Sequence, residues 1–318
     1  MHTPSETVAE KSGVDRINVA PIELLEAEAG CTIFGLCHVG KVRKENQDYM
    51  GHFSREGSHL LVVADGMGGH NGGWEASHLV LEACEQAFEE WDSQRSPKML
   101  LSDCVQLANT KLLERAALDP TLDGMGSTFV GIYVRDGKAW TANLGDSRSY
   151  LFRKKEVKRL SRDHSRVAMM VEAGLLTEDA ARTHPMSNVL EMALGVEDFV
   201  APEICSKPIV LQEGDRFVLC SDGLWGLVLD EELLSLFQEG DLRVCGEKAL
   251  ELALKRGGTD NVTLTLLDYR TERSSAVEEV EPLVRNRANL LLWELILFAV
   301  VLTCVGFTWA AFGLQQNY

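Results

Sequence analysis

The chain has 318 residues, 45% of them hydrophobic and 25% charged, enough for a sizeable core in one or two domains. A formal net charge of -17 excludes nucleic acid as the main partner, because phosphate backbones are held by Lys and Arg. None of the eight Cys forms a Cys-x-x-Cys pair. Those in apolar runs, such as Cys220 and Cys304, read as small core residues of a reducing compartment rather than zinc ligands.

Residues 1–30 are polar and acidic and carry no signal peptide pattern, so the folded part is expected to stay in the cytoplasm. This stretch reads as an N-terminal extension. Within it, Pro21–Ala29 has the makings of a short acidic helix, with Pro in the first turn and Glu, Leu and Ala following. Order is expected from about Thr32. HLLVVAD (59–65) reads as a buried strand. Residues 74–91 and 98–116 place apolar side chains at helical spacing. Residues 127–160 predict strands broken at Asp136-Gly137, at Gly145-Asp146 and near Lys154-Lys155, and the first break is a hairpin signal. VAMMVEAGLL and EDAARTH read as helices of an inserted lobe over about 164–200. DRFVLCSD (215–222) is the next strand, LDEELLSLF and RVCGEKALELALKR are helices, and NVTLTLLDY (261–269) closes the domain. Antiparallel strands interrupted by two long helices predict an α+β sandwich with helices outside.

Leu295–Leu314 holds twenty residues without a charge, the length needed to cross a bilayer core of about 30 Å. Arg285 and Arg287 precede it, which orients the N-terminal part toward the cytoplasm, and Trp293 and Trp309 stand near its ends. The expected organisation is an extension (1–30), one domain (31–270), an acidic linker (271–288), a single transmembrane helix (289–314) and a tail (315–318).

Four Asp stand at the ends of apolar strands: Asp65, Asp146, Asp222 and Asp260. Buried carboxylates gathered together need cations to neutralise them. After Asp65 comes Gly66-Met67-Gly68-Gly69-His70-Asn71-Gly72-Gly73, too rich in glycine for a tight hairpin and open enough for backbone carbonyls to approach a ligand. Oxygen donors without a Cys or His cluster point to a hard ion such as Mg²⁺ or Mn²⁺, in a site with room for hydrolysis. Arg43 offers a planar fork that matches two phosphate oxygens.

Eight segments now stand in order: VRKENQD (42–48), VVADGMGGHNGG (62–73), GMGST (124–128), ANLGDSR (142–148), RDHS (162–165), NVLEMALG (188–195), CSDGLW (220–225) and GGTDNVT (257–263). Together they resemble the bacterial branch of the metal-dependent protein phosphatases, the PPM or protein phosphatase 2C type. The resemblance spans about residues 32–269. It implies a four-layer α-β-β-α sandwich with two central antiparallel sheets and an inserted flap. It also implies two Mn²⁺ or Mg²⁺ ions, with a third, weaker site. Asp65 would bridge the two ions, the Gly66 carbonyl would bind one, and Asp222 and Asp260 would complete the set. Asp48 would hold metal-bound water, Asp146 with Asp222 would serve the third site, Arg43 would clamp the phosphoryl group, and Asn261 would orient Asp260. The reaction implied is attack of metal-bridging hydroxide on phosphorus, without a phosphoenzyme.

The chain departs from the family pattern in three places, one of them a C-terminal span that sits closer to the domain than the long linkers of some relatives. Animal members carry a His two residues after the bridging Asp, where this chain has Met67; His70 follows as a candidate acid or a plain loop residue. Bacterial relatives place basic residues in the flap around HPMSNVLEMALG, where Ser187 and Met192 are uncharged. The expected activity is hydrolysis of phosphoserine and phosphothreonine in phosphorylated proteins, opposing a Ser/Thr protein kinase at the membrane. The alternatives are a catalytically weak phosphoprotein-binding or scaffolding module, and a metal hydrolase of small phosphate esters.

Overall fold

The structure, a computed structural model, describes residues 22–28, 30–68 and 72–270. The expected linker, transmembrane helix and tail lie outside the described residues, as do His70 and residues 1–21. Among the described residues no helix is long and apolar enough to cross a membrane.

Strand β1 (Ile22–Glu28) pairs antiparallel with β2 (Cys31–His38), from Ile22 opposite Cys37 to Glu28 opposite Cys31. The helix expected over Pro21–Ala29 is therefore a strand. The open edge of β2 offers a row of backbone hydrogen-bonding groups, and pairing with it outweighs the modest helix preference of Glu, Leu and Ala. Order thus begins inside the expected extension.

Strands β3 (Asp48–Arg55) and β4 (Ser58–Met67) form a hairpin, followed by helices α1 (Gly72–Glu89) and α2 (Pro97–Leu118). Next come the short β5 (Gly126–Ser127) and the meander β6 (Phe129–Arg135), β7 (Lys138–Leu144), β8 (Arg148–Arg153) and β9 (Glu156–Arg159), with its breaks where the sequence predicts them. The flap follows, carrying α3 (Arg166–Glu172) and α4 (Glu178–Arg182). Two short strands, β10 (Glu203–Ile204) and β11 (Ile209–Val210), lead to β12 (Asp215–Cys220). Helices α5 (Asp222–Trp225), α6 (Asp230–Phe237) and α7 (Leu242–Lys255) precede β13 (Val262–Tyr269).

One sheet runs β1-β2-β13-β12-β8-β9. The other runs β10-β7-β6-β4-β3, with β11 beside β7 and β5 beside β4. Three cores separate four layers. Leu60, Val62, Phe129 and Tyr133 pack under α1 and α2 through Val80, Cys84, Cys104 and Val105. Leu61, Val63, Ile132, Ile33, Phe217 and Leu267 fill the space between the sheets. Phe34, Val218 and Leu264 pack against α6 and α7 through Phe237, Ala249 and Ala253. Strands covered on both faces need apolar residues at every position, which is why β4 and β12 read as unbroken apolar runs. The α-β-β-α order is the one the resemblance implies.

Candidate metal centre

The four strand-end carboxylates meet at one end of the sandwich. Asp65 lies within β4, Asp146 in the turn after β7, Asp222 in the first turn of α5 and Asp260 in the turn before β13. They line a cavity of about 230 Å³ together with Arg43, Gly66, Thr128, Asn188 and Asn261. Asp48, opposite Asp65 in the β3–β4 register, is buried behind this wall at 2% exposure.

Each carboxylate is held from its own surroundings. The Asp65 backbone N–H donates to Thr128 Oγ1 at 3.0 Å, and its carbonyl accepts from Thr128 N at 2.8 Å and Ser127 Oγ at 3.0 Å. The Asp146 carbonyl accepts from Trp225 Nε1 at 3.0 Å. Asp48 Oδ2 accepts from Ser221 Oγ at 2.6 Å, and Ser221 Oγ accepts in turn from Thr263 N at 3.1 Å. A Cβ on Gly66 would stand 1.9 Å from the Gly73 carbonyl oxygen, so only glycine lets these two backbones pass.

Arg43 Nη2 donates to Asp260 Oδ2 at 2.7 Å. Asp260 Oδ1 accepts from the Asn261 backbone N–H at 2.8 Å. Asn261 thus holds Asp260 as expected, through its backbone N–H, and its side chain has a further role. Its amide donates to the carbonyls of Val39 at 2.9 Å and Glu45 at 3.0 Å, and its Oδ1 accepts from Gln47 N at 2.8 Å. The side chain staples the loop that carries Arg43, while the backbone N–H of the same residue orients Asp260.

The electrostatics ask for cations. Burial first, then the neighbouring Asp48, Asp222, Asp146 and Asp260, pushes the Asp65 carboxyl well above the usual carboxylate range. Burial and Asp222 raise Asp146 in the same direction. Burial and Asp260 lift Asp222 to about 6, against a hydrogen bond with Asp65 and the Arg43 charge. Burial pushes Asp48 up to about 7, opposed by the Ser221 hydroxyl. Asp222 Oδ1 is buried without a hydrogen-bond partner among the described residues. Unmatched oxygen donors crowded into one cavity fit divalent cations. Among the described residues no three His, Cys, Asp or Glu close into a tight cage. Donors spread along a cavity wall suit a hard ion that keeps much of its own water.

Of the residues singled out in the sequence, Arg43, Asp65, Gly66, Asp146, Asp222, Asp260 and Asn261 line the cavity, Asp48 backs it, and His70 is outside the described residues. Sequence reasoning missed Ser221, Thr128 and Gln47. Ser221 and Thr128 stand inside the quoted segments CSDGLW and GMGST, where a hydroxyl beside an acidic motif was the available signal.

The protein phosphatase 2C family profile matches residues 40–256. The serine/threonine protein phosphatase PstP of Mycobacterium tuberculosis is 34% identical over 231 residues, 72% of this chain, and the match spans only 43% of that longer protein. The serine/threonine phosphatase stp of Listeria monocytogenes is 32% identical over 236 residues, covering 72% of this chain and 92% of the relative. The crystal structure of the M. tuberculosis phosphatase PstP/Ppp superposes with a TM-score of 0.69 at 31% identity, covering 78% of this chain and all of that one. A structure of the PstP catalytic domain in complex with two manganese ions superposes with a TM-score of 0.68 at 32% identity, over 76% of this chain and 98% of that one. Fold, oxygen-donor cavity and relatives agree: the chain belongs to the protein phosphatase 2C family of metal-dependent serine/threonine protein phosphatases.

Proposed function

We propose that the chain removes phosphate from phosphoserine and phosphothreonine in proteins, opposing a Ser/Thr kinase, from the cytoplasmic side of a membrane to which residues 289–314 anchor it. The observation that carries the chemistry is the cavity in which four Asp and one Arg converge. Asp65, Asp222, Asp260 and the Gly66 carbonyl would hold two Mn²⁺ or Mg²⁺ ions, and Asp146 with Asp222 a third. When bound, these ions supply positive charge to the phosphoryl oxygens and lower the pKa of water toward neutrality.

The side chains do the rest. Asp48, fixed by Ser221, accepts a proton or hydrogen bond from water at the back of the site. Arg43 is 49% exposed and uses Nη2 on Asp260, so its other N–H groups are available to a phosphoryl oxygen. The Asn261 staple holds the loop that aims it. Met67 lines the cavity where animal members carry a His, and the proton for the leaving Ser or Thr oxygen would come from water or from His70, which lies outside the described residues.

The test is phosphate release from a phosphothreonine peptide by the full chain in detergent, with Mn²⁺ and then with excess EDTA. Release that needs Mn²⁺ and stops with chelator is the expected outcome. A folded protein that binds the phosphopeptide but releases nothing with any divalent ion would replace this reading with the scaffolding one.

A further inference from the structure

Asp146 and Asp222 reach the metal cavity from different parts of the fold, the turn after β7 and the first turn of α5. Asp222 Oδ1 is buried without a hydrogen-bond partner among the described residues, so this oxygen is left for a ligand. Two carboxylates share a cation only at a suitable separation, and groups outside the pair have to set it.

One side chain spans the two residues. Trp225 stands three positions after Asp222 on the same turn of α5, which the Gly226 N–H closes onto the Asp222 carbonyl at 2.8 Å. Its indole Nε1 donates to the Asp146 carbonyl at 3.0 Å. The indole is thus a strut between the helix that carries Asp222 and the turn that carries Asp146. On the other side of that turn, Gly145 is held by His164, whose N–H donates to the Gly145 carbonyl at 2.8 Å and whose Nδ1 accepts from the Gly145 N–H at 3.2 Å.

A strut sets a distance only if it is itself fixed. Trp225 is buried. The Arg148 guanidinium lies 3.6 Å from its ring centroid, and Arg148 is clamped in turn onto Asp163 through Nε at 3.1 Å and Nη2 at 2.6 Å. The Trp225 main-chain carbonyl accepts from Arg182 Nη1, from α4 of the flap. Trp225 lines a second cavity, a pocket of about 100 Å³ beside the flap, and not the metal cavity, so it acts on a bound ion only through Asp146 and Asp222. A buried indole N–H needs an acceptor, and any nearby carbonyl would serve stability. What singles this bond out is that its acceptor belongs to one carboxylate of the pair and its donor rides on the helix turn of the other.

We propose that Trp225 is the positioning residue of the Asp146–Asp222 cation site, its indole N–H holding the Asp146 turn at the separation from Asp222 at which both carboxylates reach one divalent cation. The proposal rests on the phosphatase reading, which gives this pair the third ion, and adds the residue that builds the site. Loss of the N–H frees the turn, and the cost falls on this ion rather than on those held by Asp65 and Asp260.

The experiment counts Mn²⁺ bound to the full chain in detergent, from the electron paramagnetic resonance signal of free Mn²⁺, and does not depend on turnover. Wild type is expected to bind two ions tightly and one weakly. Trp225→Phe, which keeps an aromatic ring beside Arg148 and removes the N–H, should weaken the last ion about tenfold, the lower end of what losing an outer partner of a metal ligand costs, and leave the tight two as they were. Asp146→Asn should weaken the same ion, and adding Trp225→Phe to it should change nothing further, because the N–H acts through that residue. If the Phe variant does not fold, β-(3-benzothienyl)alanine placed at position 225 by nonsense suppression decides, since it keeps the indole outline with sulfur in place of the N–H. A wild type without the weak ion, a folded variant that binds Mn²⁺ as wild type does, equal weakening of all ions, or a further loss in the Asp146→Asn background overturns the proposal. A wild type that shows the expected Mn²⁺ binding yet releases no phosphate from the phosphothreonine peptide sinks the phosphatase reading alone, so the two failures are distinguishable.

Discussion

Asp65 is half-buried beside Asp48, Asp146 and Asp222 and pushed toward its protonated form by loss of hydration and by their charges. An amide in its place removes the charge and keeps the shape. Asp65→Asn is therefore expected to raise the melting temperature of the chelated protein by about a few degrees while eliminating phosphate release, read by calorimetry in EDTA and by the peptide assay in Mn²⁺. Asp48 accepts its short hydrogen bond from the Ser221 hydroxyl at 2.6 Å, with the Thr263 hydroxyl as a further partner. Ser221→Ala should lower turnover about 10- to 100-fold, the range seen when a partner of a metal site's outer groups is lost, with little change in KM. At this scale the sequence was informative where a carboxylate broke an apolar run, as at Asp65 and Asp222. It was silent about partners. Asn261 holds Asp260 through its backbone, as adjacency suggested, but nothing in the sequence showed that its side chain also ties down Glu45, 216 residues away.

Among the elements, α1 carries a pH-sensitive contact with the sheet. His78 stacks on Tyr49 at 3.8 Å and packs on Trp74 at 4.0 Å, and burial lowers its pKa from 6.5 to about 4. The unfolded chain takes up this proton near pH 6.5 and the folded chain only near 4, so the neutral ring's contribution is whole above pH 6.5 and is lost as pH falls toward 4. Wild type should lose up to roughly 3 kcal/mol more than His78→Gln across that window, measured by urea unfolding at each pH. Helices α1, α2, α6 and α7 were legible because each buries one periodic face. The strand β1 was not, since Glu, Leu and Ala favour a helix and only the free edge of β2, invisible in the sequence, turns them into a strand. The pocket beside the flap was equally hidden. Arg182 and Trp225 are 43 residues apart, and nothing in either segment announces the other.

For the whole molecule, the α-β-β-α layering followed from the order of apolar runs and the family segments, whereas which strands become neighbours did not. The proposed anchor rests on the sequence alone, on twenty uncharged residues from Leu295 to Leu314. Removing residues 285–318 is expected to move the protein from the membrane pellet to the soluble fraction with its peptide activity kept, measured by ultracentrifugation and phosphate release. A truncated protein that still sediments with membranes rejects the anchor.

The place of β13 has a consequence for how the enzyme comes into being. It is the last described strand, yet it lies inside its sheet, between β2 and β12. While a ribosome is still extending the chain, β2 and β12 face each other across a gap, their inner edges bare and open to pairing with other nascent chains. Asp260 and the Asn261 staple arrive with the same segment that closes this gap. The proposed reaction therefore has its full set of carboxylates only once the segment through residue 269 has been made, and a truncated product ending before it is expected to be inert and prone to aggregate.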